Sequence, residues 1–344
     1  MSTTIKEVAR LAGVSRGTVD RVIHNRPGVN PDLRRKILSI LKEVEYTPNF
    51  AGRALVHSNR RYRIGVVLSP DFNPFVEQVK QGIKEEADQI AEFGVELNIE
   101  VVRAFDTREQ LSMLDSLYSS GISAIAIVPV DDSLIKEKID WIVSQGIPVV
   151  TFNSDLQGCR RLCFIGQDNY KAGKTQGRLA SMFLRKDPRP SKVLVISSTD
   201  HLTCHKERVK GFLEKISTYR NIEMIGYEEN YDMDSLSRQI TTRYLEKHND
   251  ISLIYLTGGG ISGVAQALVE KNVAGKIYIL CHDLIPKSLE LLRAGIVDIV
   301  IGQDPFKQGA LPIKILYEYL FLKKYPQLEF YHTGIEIFTS ENCS

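Results

Sequence analysis

Two arginines near the start of the chain, Arg16 and Arg21, are the residue type best suited to reading DNA. They fall in a predicted helix that turns Val19 and Val22 toward a core. An arginine on an exposed helix face can donate two hydrogen bonds to a guanine in the DNA major groove, which is wide enough to admit the helix. We therefore predict that Arg16 and Arg21 read bases.

Short polar side chains at predicted helix starts are suited to contacts with phosphate. Ser15 and Asn30 each precede a predicted helix, and the backbone N–H groups of a helix start favour an anion. Such contacts fix the position of a protein on the duplex without reading its sequence. Apart from the two arginines, the predicted DNA contacts in this segment are Thr4, Ser15, Gly17, Thr18, Asp20, His24, Asn25 and Asn30.

Asp20 and Gly17 are the unexpected members of this set. A carboxylate near phosphates is repelled unless it pairs with Arg16 or accepts a hydrogen bond from a cytosine amino group. A charge pair within the helix, without contact to DNA, is the competing interpretation of Asp20. Gly17 has no side chain with which to read a base, so recognition at this position is expected to be weaker.

Three short helices are predicted to hold these residues. Thr4-Ile5-Lys6-Glu7 has the spacing of a capping box, Ser15 can cap a second helix, and Asn30-Pro31 begins a third. Residues 1–62 carry 12 Lys and Arg against 5 Asp and Glu, whereas the remainder carries 32 against 37. A compact basic head on an acidic body is the charge distribution expected of a phosphate-binding module.

The rest of the chain alternates between short apolar runs and helical patterns. Alternation of this kind is typical of parallel sheets covered by helices on both faces. Eight runs are more than one sheet holds comfortably, so we predict an all-α head followed by two doubly wound α/β lobes with parallel sheets. The apolar runs are 64–68, 97–102, 124–130, 148–152, 193–197, 252–257, 277–281 and 297–301.

Composition narrows the class of protein. The N-terminus has charges at Lys6, Glu7 and Arg10 and lacks the apolar core of a signal peptide, and the sequence has no apolar run long enough for a membrane span. We therefore expect a cytoplasmic protein and not a secreted binding protein. The five cysteines form no metal-binding pattern, so neither a metal nor a cofactor is expected.

A glycine motif supports one alternative from a different class. Gly258–Gly263 fits G-x-G-x-x-G after an apolar run, and Asp283 lies twenty residues beyond it. This context is typical of a dinucleotide-binding turn and would suit an NAD-linked oxidoreductase. Its position late in the chain disfavours that alternative, and the sequence has no P-loop, G-x-S-x-G or H-E-x-x-H motif. We expect the protein not to be an enzyme.

The head carries a specific set of motifs in a fixed order. I-x-x-V-A-x-x-A-G-V-S is followed by T-V-x-R-V and then by Tyr46-x-Pro48-Asn49. This segment resembles the head of lactose-repressor-type (LacI/GalR) regulators. In that family a hinge helix inserts a leucine into the minor groove and kinks the duplex. The resemblance gives this role to Leu55, with Asn49, Arg53 and Ala54 beside it.

The body resembles, more loosely, the fold of periplasmic ribose-binding proteins. In that fold aromatic rings stack on sugars, while amides and carboxylates bond their hydroxyl groups. Of the two basic candidates on one helix, Lys206 is favoured over Arg208. The implied ligand contacts are Phe72, Asn73, Phe75, Asn153, Asp155, Lys206, Arg208, Gly258, Asp283 and Gln303.

Several of these residues have a competing structural interpretation. Phe72 and Phe75 would also suit a core, Asn153 and Asp155 a turn, Asp283 a helix cap, and Gln303 a crossing between lobes. Basic groups and amides beside carboxylates leave both neutral polyols and anionic sugars open as ligands.

The resemblance implies a regulator that binds DNA and is controlled by a small ligand. We expect a homodimer on an inverted-repeat operator, repressing until a sugar, sugar acid or polyol binds between the lobes. The predicted domains are a helix-turn-helix at 1–48, a hinge helix and linker at 49–61, and an effector-binding and dimerisation domain at 62–344. Within the last, the N-lobe comprises 62–165 and 302–328, and the C-lobe 166–301 and 329–344.

Overall fold

The computed structural model describes residues 5–23, 28–44, 61–71, 73–185 and 189–343. They form two compact units, a small helical one at the N-terminus and a large α/β one.

The small unit consists of helices α1 (Ile5–Ala12), α2 (Arg16–Ile23) and α3 (Pro31–Glu43). Its core joins all three helices through Val8, Ala9, Ala12, Val19, Val22 and Ile37. The turn between α1 and α2 depends on Gly13, whose φ of 72° lies in the left-handed region that glycine adopts without strain. Two of the predicted caps are present: Ser15 Oγ accepts from the Thr18 N–H at 3.1 Å, and Asn30 Oδ1 from the Asp32 N–H at 2.8 Å. The capping box at Thr4 lies outside the described residues.

The first lobe of the large unit is built on a six-stranded sheet in the order β11-β5-β4-β3-β1-β2. Every neighbouring pair in this sheet is parallel. Its strands are β1 (Tyr62–Leu68), β2 (Val95–Val101), β3 (Ala124–Ile127), β4 (Val149–Phe152), β5 (Phe164–Gln167) and β11 (Phe330–Thr333). Its helices are α4 (Pro74–Ile90), α5 (Thr107–Ser119), α6 (Ser133–Ser144) and α12 (Pro305–Leu322), with a 3₁₀ turn at Ala91–Phe93.

The second lobe repeats this plan, in the order β12-β10-β9-β8-β6-β7. All pairs are parallel except β10 with β12, which is antiparallel. The strands are β6 (Ser191–Ser197), β7 (Ile222–Glu229), β8 (Ile251–Leu256), β9 (Tyr278–His282), β10 (Ile299–Gly302) and β12 (Glu336–Phe338). The helices are α7 (Asn169–Leu184), α8 (Thr203–Ile216), α9 (Asp234–Lys247), α10 (Ile261–Glu270) and α11 (Pro286–Arg293). The predicted pair of doubly wound lobes is thus confirmed.

The chain crosses between the lobes three times. The crossings follow β5, β10 and β11, so the last one lies between Thr333 and Glu336. Our expected boundary placed residues from 329 onward in the C-lobe, and this was wrong for β11. Tyr331 and His332 pair in parallel register with Ile165 and Gly166 of the first sheet. Four residues of alternating exposure are too short a pattern to show which sheet they join.

Among the described residues, every helix is too short or too polar to cross a lipid bilayer.

Candidate DNA interface and ligand cleft

The helix α2 exposes the residues that were predicted to read bases. Arg16, Gly17 and Arg21 are exposed, whereas Val19 and Val22 are buried against the other two helices. The separation follows from helical periodicity, because residues three apart share a face. The arginines are therefore available to a groove of DNA and take no part in the core of the head.

The start of α2 presents two hydroxyl groups together. Ser15 Oγ lies 2.9 Å from Thr18 Oγ1 and also caps the helix. Asn30 is exposed and caps α3 in the same way, while Asp20 is half-buried. The placement of Ser15, Thr18 and Asn30 at helix starts suits contacts with phosphate oxygens. The predicted residues Thr4, His24, Asn25, Asn49, Arg53, Ala54, Leu55 and Phe72 lie outside the described residues.

Arg208 on α8 lies in the interior of the cleft between the lobes, only 1% exposed. Its Nε donates to Oδ1 of Asn169 at 3.0 Å, and its Nη1 donates to the carbonyl oxygen of Thr257 at 2.7 Å. Its buried Nη2 has no hydrogen-bond partner within the described part of the chain. A buried guanidinium with one donor unused is placed to bind an acceptor atom of a ligand.

The preference for Lys206 over Arg208 stays a prediction, but the surroundings of the two side chains favour Arg208. The Lys206 side chain is 42% exposed, and its Nζ forms an ion pair with Asp131 of the first lobe. On a helix, Arg208 shares the face of buried His205 and Phe212, whereas Lys206 lies toward the cleft rim. Lys206 therefore joins the two lobes at the rim, and Arg208 is the basic residue of the interior.

Asp283 is held by two amides at the end of β9. Gln303 Nε2 donates to its Oδ1 at 2.5 Å, and Asn73 also hydrogen-bonds to its carboxyl group. Burial raises the pKa of Asp283, although the charge of Arg208 and these two hydrogen bonds oppose that rise. Its side chain faces the cleft, and α11 is capped by Ser288, whose Oγ accepts from the Ile285 N–H at 2.9 Å. The helix-cap interpretation of Asp283 is therefore wrong.

A second carboxyl group, Asp232, was missed by the sequence analysis. It follows β7, is held at a φ of 60°, and accepts from the Gly259 N–H at 2.6 Å. Burial raises the pKa of Asp232, with hydrogen bonding by Asn73 among the opposing effects. The signal for it was the polar turn after β7. That strand went unrecognised because Ile222–Glu229 is only half-buried and carries three glutamates.

Gly258 leaves the space that Asp232 fills. A Cβ atom on Gly258 would lie 2.8 Å from both Asp232 Oδ1 and His205 Cε1. The glycine turn is thus packed against a carboxyl group, and the backbone N–H of Gly259 is already bonded to it. Gly263 serves helix packing, since a Cβ there would lie 1.8 Å from the Asp234 carbonyl oxygen. A turn that faces a carboxylate repels the phosphates of a dinucleotide.

Two buried histidines adjoin these groups. Burial lowers the pKa of His205 to about 3, helped by the charge of Arg208, and its Nδ1 lies 3.1 Å from Thr257 Oγ1. Burial likewise lowers the pKa of His282, whose Nε2 lies 2.9 Å from the Tyr255 hydroxyl. Both rings are therefore neutral at physiological pH.

The remaining predicted contacts differ in their surroundings. Phe75 is buried and lines a cavity of about 340 Å³ together with Asp283 and Gln303. Asn153 donates to Gln308 Oε1 at 3.2 Å, so its amide is already engaged.

Both oxygens of Asp155 are occupied within the first lobe. Arg161 donates to Oδ1 and Oδ2 at 2.6 Å each, and Thr151 Oγ1 donates to Oδ1 at 2.6 Å. Asp155 lines a separate cavity of about 450 Å³. The carboxylate is therefore fixed by an ion pair, which favours the structural interpretation of this residue over direct contact with a ligand.

The two lobes touch directly across the cleft. The Asp131 N–H donates to the His201 carbonyl oxygen at 2.8 Å, beside the Lys206–Asp131 ion pair. The Cys204 N–H donates to Ser154 Oγ at 3.3 Å. Together with the bonds of Asn73, these contacts hold the lobes in a closed arrangement around Arg208 and the two carboxyl groups.

Comparison with known families agrees with both units. Residues 64–324 match the periplasmic binding protein domain family, and residues 4–49 match the bacterial regulatory proteins of the lacI family. The chain belongs to the periplasmic binding protein family and carries a lacI-type head. The match to the body includes the Gly258–Gly263 turn, so the alternative of an NAD-linked oxidoreductase is not supported.

Several curated proteins are similar to this chain. The HTH-type transcriptional regulator MalR of Streptococcus pneumoniae serotype 4 is 26% identical over 228 residues, which cover 64% of each chain. Catabolite control protein A of Priestia megaterium is 27% identical over 325 residues, 93% of each chain. The D-allose-binding periplasmic protein of Escherichia coli is 24% identical over 262 residues, 73% of this chain and 82% of that one. The chain thus spans less than two thirds of the MalR relative.

The large α/β unit of this chain has the same fold as solved structures of sugar-binding and solute-binding proteins. The glucose-galactose binding protein GanP of Geobacillus stearothermophilus aligns with a TM-score of 0.74 and 23% identity, over 82% of this chain and 99% of that one. A solute-binding protein of Burkholderia graminis, solved in complex with D-arabinose, aligns with a TM-score of 0.76 and 22% identity. The alignment covers 82% of this chain and 96% of that one. At these identities the similarity concerns the fold alone.

Proposed function

We propose that the protein is a transcription regulator that binds operator DNA through α2 and responds to a small polyhydroxylated ligand in its cleft. The observation that carries the DNA-binding part is the exposure of Arg16 and Arg21 on a helix whose other face is buried. The named regulators among its relatives support the same role.

The ligand part rests on the groups around Arg208. A hydroxyl group both donates and accepts, so adjacent hydroxyls of one ligand can accept from Arg208 Nη2 and donate to Asp232 and Asp283. Asn73 and Gln303 hold these carboxyl groups in place. We propose a sugar or a related polyol as the effector, and repression that this effector relieves.

The protein would act as a homodimer on an inverted repeat, with one recognition helix for each half-site. A ligand that favours one arrangement of the lobes must also alter the affinity for DNA, because the two binding equilibria are linked. Binding to chromosomal DNA would place the protein in the cytoplasm.

In vitro selection from random duplexes tests the DNA-binding part. The full chain should enrich an inverted repeat, and an Arg16→Ala, Arg21→Ala double variant should not. Enrichment of the same sequence by both proteins would contradict the proposal. A thermal-shift screen of sugars, sugar acids, sugar phosphates and cyclitols then seeks the effector, which should change the affinity for the selected duplex.

A further inference from the structure

A cavity of about 450 Å³ lies beside the cleft, on the side of the crossing that follows β5. Its volume falls within the range of small-molecule sites in proteins. One wall comes from Phe164, Phe330 and His332 of the first sheet, and the facing wall from Tyr170 on α7 and Glu207 on α8. The cavity therefore has one wall from each lobe. It adjoins the surroundings of Arg208 through Asn169, which lines it and accepts from Arg208 Nε, and neither Asp232 nor Asp283 lines it.

The first wall is aromatic. The rings of Phe330 and His332 stack with their centroids 5.8 Å apart, and Phe164 meets Phe330 at 6.4 Å in an edge-on geometry. The guanidinium carbon of Arg161 already lies 5.0 Å from the centre of the Phe330 ring. An aromatic surface that holds one cation on its face is suited to a further flat or cationic group.

Hydrogen-bond acceptors dominate the rest of the lining. Four carboxylates, Asp155, Asp168, Glu207 and Glu329, adjoin the cavity together with a single arginine, Arg161. The lysines that pair with Asp168 and Glu207 are Lys171 at 2.8 Å and Lys210 at 3.6 Å. Both are partly or largely exposed, so they compensate the two carboxylates only weakly.

Gln167 carries a buried acceptor atom beside this cavity. Its side chain lines the cavity and is 1% exposed, and its Nε2 donates to the carbonyl oxygens of Gly302 at 3.0 Å and Gly334 at 2.8 Å. These two bonds fix the amide, yet its buried Oε1 has no partner among the residues that the structure describes. An acceptor left unpaired in a buried amide is costly unless a donor reaches it.

We propose that this cavity is a second ligand site that binds an organic cation with a flat body, such as an amidinium or a protonated aromatic amine. The body would pack against Phe330 and His332, and the N–H groups would donate to Gln167 Oε1 and to the carboxylates of Asp168 and Glu207. A ligand in contact with both walls stabilises the closed arrangement of the lobes. This inference does not depend on the proposed regulatory function.

Calorimetric titration of the full chain with 4-aminobenzamidine tests the site. Saturable binding is expected with a Kd below about 1 mM. The neutral isostere 4-aminobenzamide should not bind, because it lacks the charge that the carboxylates require. Glu207→Gln and Phe330→Ala should each weaken binding by about 3- to 10-fold, as expected for loss of one charge or one aromatic contact.

One control locates the bound probe. Glu246→Gln removes a carboxylate on an exposed surface and should leave the affinity for the probe within about twofold. If the Phe330→Ala protein is poorly folded, Phe330→Leu replaces it, because leucine keeps an apolar side chain and removes the aromatic ring. Absence of saturable binding, equal affinity for both probes, or unchanged affinity in both Glu207→Gln and Phe330→Ala would overturn the proposal.

Discussion

Gln303 Nε2 donates to Oδ1 of Asp283 at 2.5 Å, at the point where the chain passes from the second lobe to the first. Gln303 is in turn held by Gln308, whose Nε2 donates to the Gln303 carbonyl oxygen at 2.7 Å. Gln308 lies on α12 of the first lobe, so a carboxyl group of the second lobe is tied to the first through two amides. The position of Asp283 is therefore coupled to the relative arrangement of the lobes.

Replacement of Asp283 by alanine should shift the response to much higher effector concentrations and leave operator binding intact. Loss of a charged hydrogen bond to the ligand costs about 1.5–3 kcal/mol, which weakens effector affinity by about 10- to 150-fold. Fluorescence anisotropy of a labelled operator, titrated with the effector, measures both properties. Asp250→Asn, on an exposed ion pair with Lys192, is the matched control. A normal response in the Asp283→Ala protein would show that the cleft site is misplaced.

Replacement of Arg21 by alanine should reduce discrimination at one base pair of the operator. The expected loss is about 1–3 kcal/mol for that position, because a bidentate contact to guanine distinguishes it from the other bases. Competition between the selected duplex and single-base variants measures the loss. Arg238→Ala, which removes an exposed arginine paired with Glu270 in the second lobe, should change nothing. Unchanged specificity in Arg21→Ala would rule out its role as a base reader.

Acid should destabilise the large unit through His205. Its pKa falls from 6.5 to about 3 on folding. Between these two values the unfolded chain binds a proton at His205, and the folded chain does not. Stability is therefore complete above pH 6.5 and declines toward pH 3, by about 2 kcal/mol at pH 5 for this group. His282, whose pKa is also lowered, changes the stability of the protein in the same direction. Asp232 and Asp283 act in the opposite direction: because folding raises their pKa values, their contribution to stability is lost as pH rises.

Urea unfolding at pH 5.0 and 7.5 isolates the contribution of His205. The difference in unfolding free energy between the two pH values should be smaller in His205→Asn than in the natural protein, by about 2 kcal/mol. His201→Asn replaces an exposed histidine and should retain the full difference. An identical pH dependence in the His205→Asn protein would contradict the buried neutral ring.

Addition of one methyl group at Gly258 should damage the cleft. A Cβ there approaches Asp232 Oδ1 and His205 Cε1 at 2.8 Å, and Ser198 Cβ at 2.9 Å, closer than side chains pack. Gly258→Ala should lower the unfolding free energy by about 1–3 kcal/mol and weaken effector binding. Gly334→Ala is the control, since its Cβ would meet its nearest neighbour at 3.6 Å. Equal stability of the two variants in urea would refute this packing argument.

The sequence predicted the two-lobed fold because buried parallel strands are continuous apolar runs. It missed Phe164–Gln167, Ile222–Glu229 and the two last strands for different reasons. The first is only four residues long, and the second is a half-buried edge strand with glutamates. The last two depend on which sheet edge they meet in space, and composition does not encode that choice.

The resemblance placed Asp283 and Gln303 in one predicted ligand site, and the two do lie together because the carboxyl ends of neighbouring parallel strands share one edge. It did not predict Asp232, since that residue follows the strand that was missed. Helical periodicity alone indicates that Arg208 and not Lys206 points inward, because Arg208 lies four residues before buried Phe212 on the same helix. The closing contact of Lys206 with Asp131 joins residues 75 positions apart and has no local signal.

Three connecting segments of the chain join the lobes, one after each of β5, β10 and β11. Two bodies fastened at three neighbouring points can rotate about one axis, but they resist twisting and sliding apart. Their relative motion is then close to a single degree of freedom. A ligand bound between the lobes, at either of the two proposed sites, would shift the equilibrium of that same motion. Ligands of unrelated chemistry would therefore combine into one conformational change of the large unit.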